Sequence, residues 1–98
     1  MGSLYRFTCS SCGFEAGVSG GFDVGMRAAT QTITCRDCRN LEDVYVGDAP
    51  TTSPEDVAEE TLHCSKSPLH AVAKWNHPGP CPGCGETMAR GDLTTLWD

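Results

Sequence analysis

The chain of 98 residues is poor in the materials of an oily core. Only 39% of its residues are apolar, aromatics are 7%, and beside six Pro there are eleven Gly, which raise the entropy cost of folding. Burying carbon alone would offset little of that cost, so covalent or metal staples are expected. No apolar run approaches the roughly 20 residues of a membrane span. The opening "MGSLYRF" has no signal-peptide core, which sets a reducing cytoplasm as the expected compartment. Phosphate-cradling spacings are missing too: "GVSGGFDVGM" holds four Gly in ten residues but neither G-x-x-x-x-G-K-[ST] nor G-x-G-x-x-G. It reads as a connecting loop, pinned to the core by Phe22 and Met26.

Positive charge is also scarce. Seven Lys and Arg face thirteen Asp and Glu, for a net charge of −6, and the cations form no dense run. Two Zn²⁺ on seven thiolates would bring the charge to about −9. This balance disfavours nucleic acid as the main partner and leaves a protein as the expected one.

What the chain has instead is cysteine. Seven Cys, an odd number, do not make a closed disulfide set, and C-x-x-C occurs three times, at Cys9–Cys12, Cys35–Cys38 and Cys81–Cys84. In a reducing compartment that pattern reads as zinc. "LYRFTCSSCGFEAGV" and "TQTITCRDCRNLEDVYVG" each predict strand, knuckle, strand, with Ile33, Val44 and Val46 as the apolar face of the second. Gly13 supplies the positive φ that the turn after a second Cys needs. Arg36 and Arg39 are placed to donate to thiolate sulfurs. "SPED" predicts a short helix near 54–62, with Ser53 as N-cap and Pro54 at the first helical position. The closing segment predicts a C-x-x-C-G knuckle, a turn around Arg90 to Asp92 and a last strand ending on Trp97, with both Trp as packing centres.

Set against "CSSCGFEAGV" (9–18), "CSKSPLHAVA" (64–73) aligns without gaps: Cys9 falls on Cys64, Phe14 on Leu69, Ala16 on Ala71, and Cys12 on Ser67. The expected fold is therefore small and mostly β, with two tandem zinc-ribbon or rubredoxin-like knuckle units and little helix. The units are 1–47 and a degenerate 63–98, joined by an acidic linker at 48–62. Site one would be Cys9, Cys12, Cys35 and Cys38, and site two Cys64, Cys81 and Cys84 with one ligand missing. Ser67 is a poor zinc ligand, because its hydroxyl is hard and stays protonated. His70 is the first choice to complete site two and His77 the alternative, while His63 points away from Cys64 in an extended segment. An empty degenerate site or a bound water are the remaining options. The second Zn²⁺ is expected to be the weaker.

The chain resembles small bacterial zinc-ribbon proteins with rubredoxin-like C-P-x-C-G knuckles. The resemblance rests on "CSSCG", "CPGCG", "SGGFDVGM" and "LWD" and spans most of the chain outside 48–62. Such relatives carry a complete C-x-x-C where this chain has Cys64 and Ser67. The resemblance implies a fold, not an activity.

The motifs lead first to a structural zinc module that binds a protein, without catalysis. A nucleic-acid-associated ribbon, an iron-thiolate electron carrier and a labile-zinc sensor or store are the alternatives. "PCPGC" matches half of the zinc-deaminase signature, but the H-x-E half is missing, so no general base is supplied. No βαβ setting surrounds the C-x-x-C motifs to make them thioredoxin-like.

Overall fold

A computed structural model describes residues 2–48, 52–53, 55, 57, 62–67 and 69–97. Its strands are β1 (Gly2–Thr8), β2 (Glu15–Val18), β3 (Phe22–Val24), β4 (Ala28–Cys35), β5 (Asn40–Asp48), β6 (Val72–Lys74) and β7 (Ala89–Trp97). The mostly β expectation holds, in two antiparallel sheets. Most of the helix expected near 54–62 falls outside the described residues. Among the described residues no helix is long and apolar enough to cross a membrane.

The first sheet has the order β2-β1-β7. Its strands β1 and β2 flank the "CSSCG" turn, as their apolar–polar alternation requires. In the second sheet β5 lies along one side of β4. The other side is shared by two short strands: β3 pairs with Ala29 to Gln31 and β6 with Ile33 to Cys35.

This topology corrects the tandem division into 1–47 and 63–98. β7 completes the sheet begun by β1, and β6 extends the sheet built on β4, so each sheet draws on both halves of the chain. The internal likeness of 9–18 and 64–73 is one of sequence. It does not propagate to strand pairing, because neither segment carries enough apolar surface to close a core by itself.

Two small cores result. Phe7, Val18, Leu41, Trp75 and Met88 are buried together with Cys9 and Cys81. Ile33, Val57 and Leu62 form the other, with Phe22, Val44, Val46 and Val72 packed against it. Trp75 is a packing centre, edge-on to Phe7 at 5.3 Å, and its indole N–H donates to the Pro80 carbonyl at 2.7 Å. The side chain of Trp97 is not among those described. Phe22 anchors its segment, and residues 22–24 pair as β3 where a connecting loop was expected; Met26 is 70% exposed and pins nothing.

Thr32 sits between β3 and β6 and knits them. Its Oγ1 accepts from the amides of Gly20 and Gly21, both at 3.0 Å, and donates to the Asp43 carboxylate. Its carbonyl accepts from the Trp75 amide at 2.9 Å. Burial pushes the Asp43 carboxyl above the usual range, against the hydrogen bonds it accepts from Thr32 and Ser19.

The turn expected at Arg90 to Asp92 is replaced by irregular strand. β7 uses more residues than β1 over the same span, with register shifts at Leu4/Tyr5 and Tyr5/Phe7. Bulges twist a strand and aim it without ending it. At Gly91 an added Cβ would lie 2.8 Å from the Arg6 carbonyl oxygen, so the backbones there approach too closely for any side chain.

Candidate metal centres

Two C-x-x-C-G turns have the same internal hydrogen bonds. In the first, the Gly13 amide donates to the Cys9 carbonyl and the Cys9 amide to the Phe14 carbonyl, each at 2.9 Å. In the second, Gly85 donates to Cys81 at 2.9 Å and Cys81 to Glu86 at 2.6 Å. The glycines take φ of 82° and 87°, the conformation that a Cβ disfavours. The "CRDC" turn lacks that glycine, and Arg39 occupies the left-handed region at φ 51°.

The four donors of one centre are Cys9, Cys12, Cys81 and Cys84; those of the other are Cys35, Cys38, Cys64 and His70. All eight residues expected as ligands fall in these two sets, but the expected pairing is corrected. Cys9 and Cys12 do not meet Cys35 and Cys38, and Cys64 with His70 does not meet Cys81 and Cys84. Strand pairing decides this. Thr8 faces Ala89 across the β1/β7 ladder, which brings Cys9 and the turn before Ala89 to one end of that sheet. Cys35 faces Val72 across β4/β6, which brings it to the segment carrying Cys64 and His70. Sequence spacing suggested neighbours along the chain; the antiparallel ladders select partners across it.

The atoms are spaced for one ion per set. A tetrahedral ion with bonds near ~2.3 Å to sulfur and ~2.0–2.1 Å to nitrogen puts its ligand atoms about 3.5–3.8 Å apart. Cys9 and Cys84 Sγ are 3.4 Å apart, Cys12 and Cys81 3.5 Å, and Cys38 and Cys64 3.7 Å. His70 Nδ1 lies 3.5 Å from the Cys38 sulfur and 3.6 Å from that of Cys35. No disulfide is present among these cysteines.

Ser67 explains how His70 arrives. Its hydroxyl accepts from the Leu69 amide at 3.2 Å and its carbonyl from the His70 amide at 3.3 Å, so Ser67 starts a turn. That turn swings the imidazole back to the ion position. His77 is elsewhere, its ring 5.4 Å from Phe7 and its amide bonded to the Gly20 carbonyl. His63 is exposed and lies in neither set.

Backbone amides set the electrostatics. The Cys12 amide, aimed at the Cys9 sulfur, outweighs burial and holds that thiol down at about 7. The Lys66 amide does the same for Cys64, at about 6. For Cys12 the Phe14 amide favours the thiolate, but the Cys81 and Cys84 sulfurs push the thiol up to about 12. Desolvation, followed by the Cys35 and Cys64 sulfurs, raises Cys38 to about 11. Cys84 is raised as well: the Glu86 amide pulls it down, but the Cys9 sulfur and burial prevail. Each centre therefore holds one thiol poised to ionise and at least one that resists until a cation arrives. Further amide donation reaches Cys35 from Cys38 and Cys81 from Gly83, both at 3.4 Å. Arg36 and Arg39, expected to serve the sulfurs, are exposed, and their place is taken by these amides.

Both donor sets fit a thiophilic divalent ion, and the two centres are loosely consistent with zinc-ribbon-like units. Compared with family models, curated proteins and solved structures, the chain matches none of them.

Proposed function

We propose that the protein is a structural zinc-binding module that engages a protein partner and carries no catalysis. The observation that carries this reading is the pair of four-donor sets at tetrahedral spacing. A four-ligand site is closed and leaves no coordination position for a substrate. The ions would supply cohesion to sheets whose apolar cores are small. The net charge of −6 favours a basic protein surface over a phosphate backbone. The expected compartment remains a reducing one, in which thiolates persist.

Native mass spectrometry of the full chain tests the metal reading. Two Zn²⁺ per chain are expected, and a folded chain without metal would overturn it. A second reading, an iron-thiolate electron carrier, has one specific support: Cys9, Cys12, Cys81 and Cys84 form an all-sulfur set with amide donors at the sulfurs. Visible absorbance of the native protein separates the two, since zinc thiolate is colourless.

A further inference from the structure

The two centres differ in which sulfurs meet solvent. Cys12 and Cys84 are exposed, whereas Cys9 and Cys81 are buried. Two sulfur pairs of that centre each combine one of each kind, from opposite knuckles: exposed Cys84 with buried Cys9 at 3.4 Å, and exposed Cys12 with buried Cys81 at 3.5 Å. The knuckles face one another, since a Cβ built at Gly83 would lie 3.9 Å from the Cys12 sulfur and 3.7 Å from that of Cys81.

We propose that the Cys9, Cys12, Cys81 and Cys84 centre is a site of reversible thiol oxidation by hydroperoxides, closing to Cys9–Cys84 and Cys12–Cys81 disulfides with release of its ion. The inference rests on the metal reading above. In the metal-loaded state Cys12 and Cys84 are deprotonated, and the sulfur of one of them attacks one peroxide oxygen. The S–O bond forms, the O–O bond breaks, and the departing oxygen takes one proton from solvent, leaving as water from hydrogen peroxide or as the alcohol from an alkyl hydroperoxide. The sulfenic acid so formed lies against a buried partner sulfur. That thiolate attacks the oxidised sulfur, the S–S bond forms, the S–O bond breaks, and hydroxide leaves as a second water. Each disulfide uses one hydroperoxide and two thiolates, so two hydroperoxides consume the four sulfurs and leave the divalent ion without ligands.

Bond formation needs each pair to close from about 3.4 Å to about 2.05 Å, a small movement of exposed turns. The cross-links join the same two segments that the ion joins, so β1 and β7 stay paired. The other centre is built against this chemistry. Cys35 and Cys64 are buried and Cys38 is only half-exposed. Three sulfurs also cannot all pair, and an imidazole holds the fourth corner.

The test uses the full chain, metal-loaded as purified, with its metal counted before any oxidant is added. Hydrogen peroxide is then titrated in while a chromophoric chelator reports released ion and peptide mass spectrometry maps linkages. One ion should leave well before the other, with Cys9–Cys84 and Cys12–Cys81 as the linkages. The β-sheet spectrum should be retained, and dithiothreitol with Zn²⁺ should restore the starting state. Linkage within a knuckle, such as Cys9–Cys12, or earlier consumption of Cys38 and Cys64, would overturn the proposal. A starting metal count of zero would instead overturn the metal reading and the release step with it.

Discussion

The two candidate centres solve one problem with different parts. One clasps the first strand to the last, takes four sulfurs from two glycine-ended knuckles and shows two of them to solvent. The other sits where β4 meets β6, has three sulfurs and an imidazole, and is the more enclosed. With a divalent ion the first would carry about two negative charges and the second about one. At Ser67, three residues after Cys64, the side chain forms a turn, and a donor three residues later, His70, takes the fourth corner.

The largest expected effect comes from removing both ions. Structural zinc contributes on the order of 10 kcal/mol of folding free energy in small domains, so excess chelator at neutral pH should abolish the β-sheet circular dichroism. A chelated chain that keeps its sheets would break the claim that the ions supply the cohesion of the fold.

His70→Ala sharpens the comparison from one side. It should weaken one ion by about 100-fold and leave the other unchanged, as read by competition with a chromophoric chelator. His77→Ala should leave both affinities alone and cost about 1 kcal/mol of packing on Phe7. Equal effects of the two would show that the ring beside Cys38 is not a ligand.

Protons give a further contrast. Cys12 at about 12 and Cys38 at about 11 hold protons through the neutral range in the metal-free fold. Each centre must expel at least one on binding, so affinity should fall roughly tenfold per pH unit per proton as pH drops from 8 to 6. The lowered Cys9 and Cys64 act with this sign: their stabilising contribution is present above the ordinary thiol value and is lost as pH falls through about 7 and about 6. A pH-independent affinity would contradict these directions.

Substitutions in the frame between the centres are smaller still. Thr32→Val removes the acceptor of two glycine amides and a donor to Asp43, and should cost about 2 kcal/mol in chemical denaturation. Arg39→Gly gives the third knuckle the residue its neighbours have. It should leave metal content unchanged and raise stability by up to about 1 kcal/mol.

Much of this architecture is legible in the residues. The period-two alternation around "CSSCG" and "CRDC" marks β1, β2, β4 and β5, and the glycine after Cys12 foretells a positive φ. His70 could be chosen over His77 because it follows the degenerate turn directly. The partition of the eight ligands could not be read in the same way. It depends on β7 pairing with β1 and β6 with β4, contacts between residues more than thirty positions apart that no local pattern encodes. The strand at 22–24 was hidden for another reason, since three residues between glycine-rich stretches carry no period of their own. Gly91 looked like turn punctuation because glycine also marks bulges.

The clasp between Cys9 and Cys12 on one side and Cys81 and Cys84 on the other sets an order on biosynthesis. A ribosome adding about 5–20 residues per second delivers the histidine-containing set as soon as residue 70 has emerged. The first two cysteines must wait, unsatisfied, until residue 84 follows. The earliest thiols of the chain are thus the ones whose set is completed last.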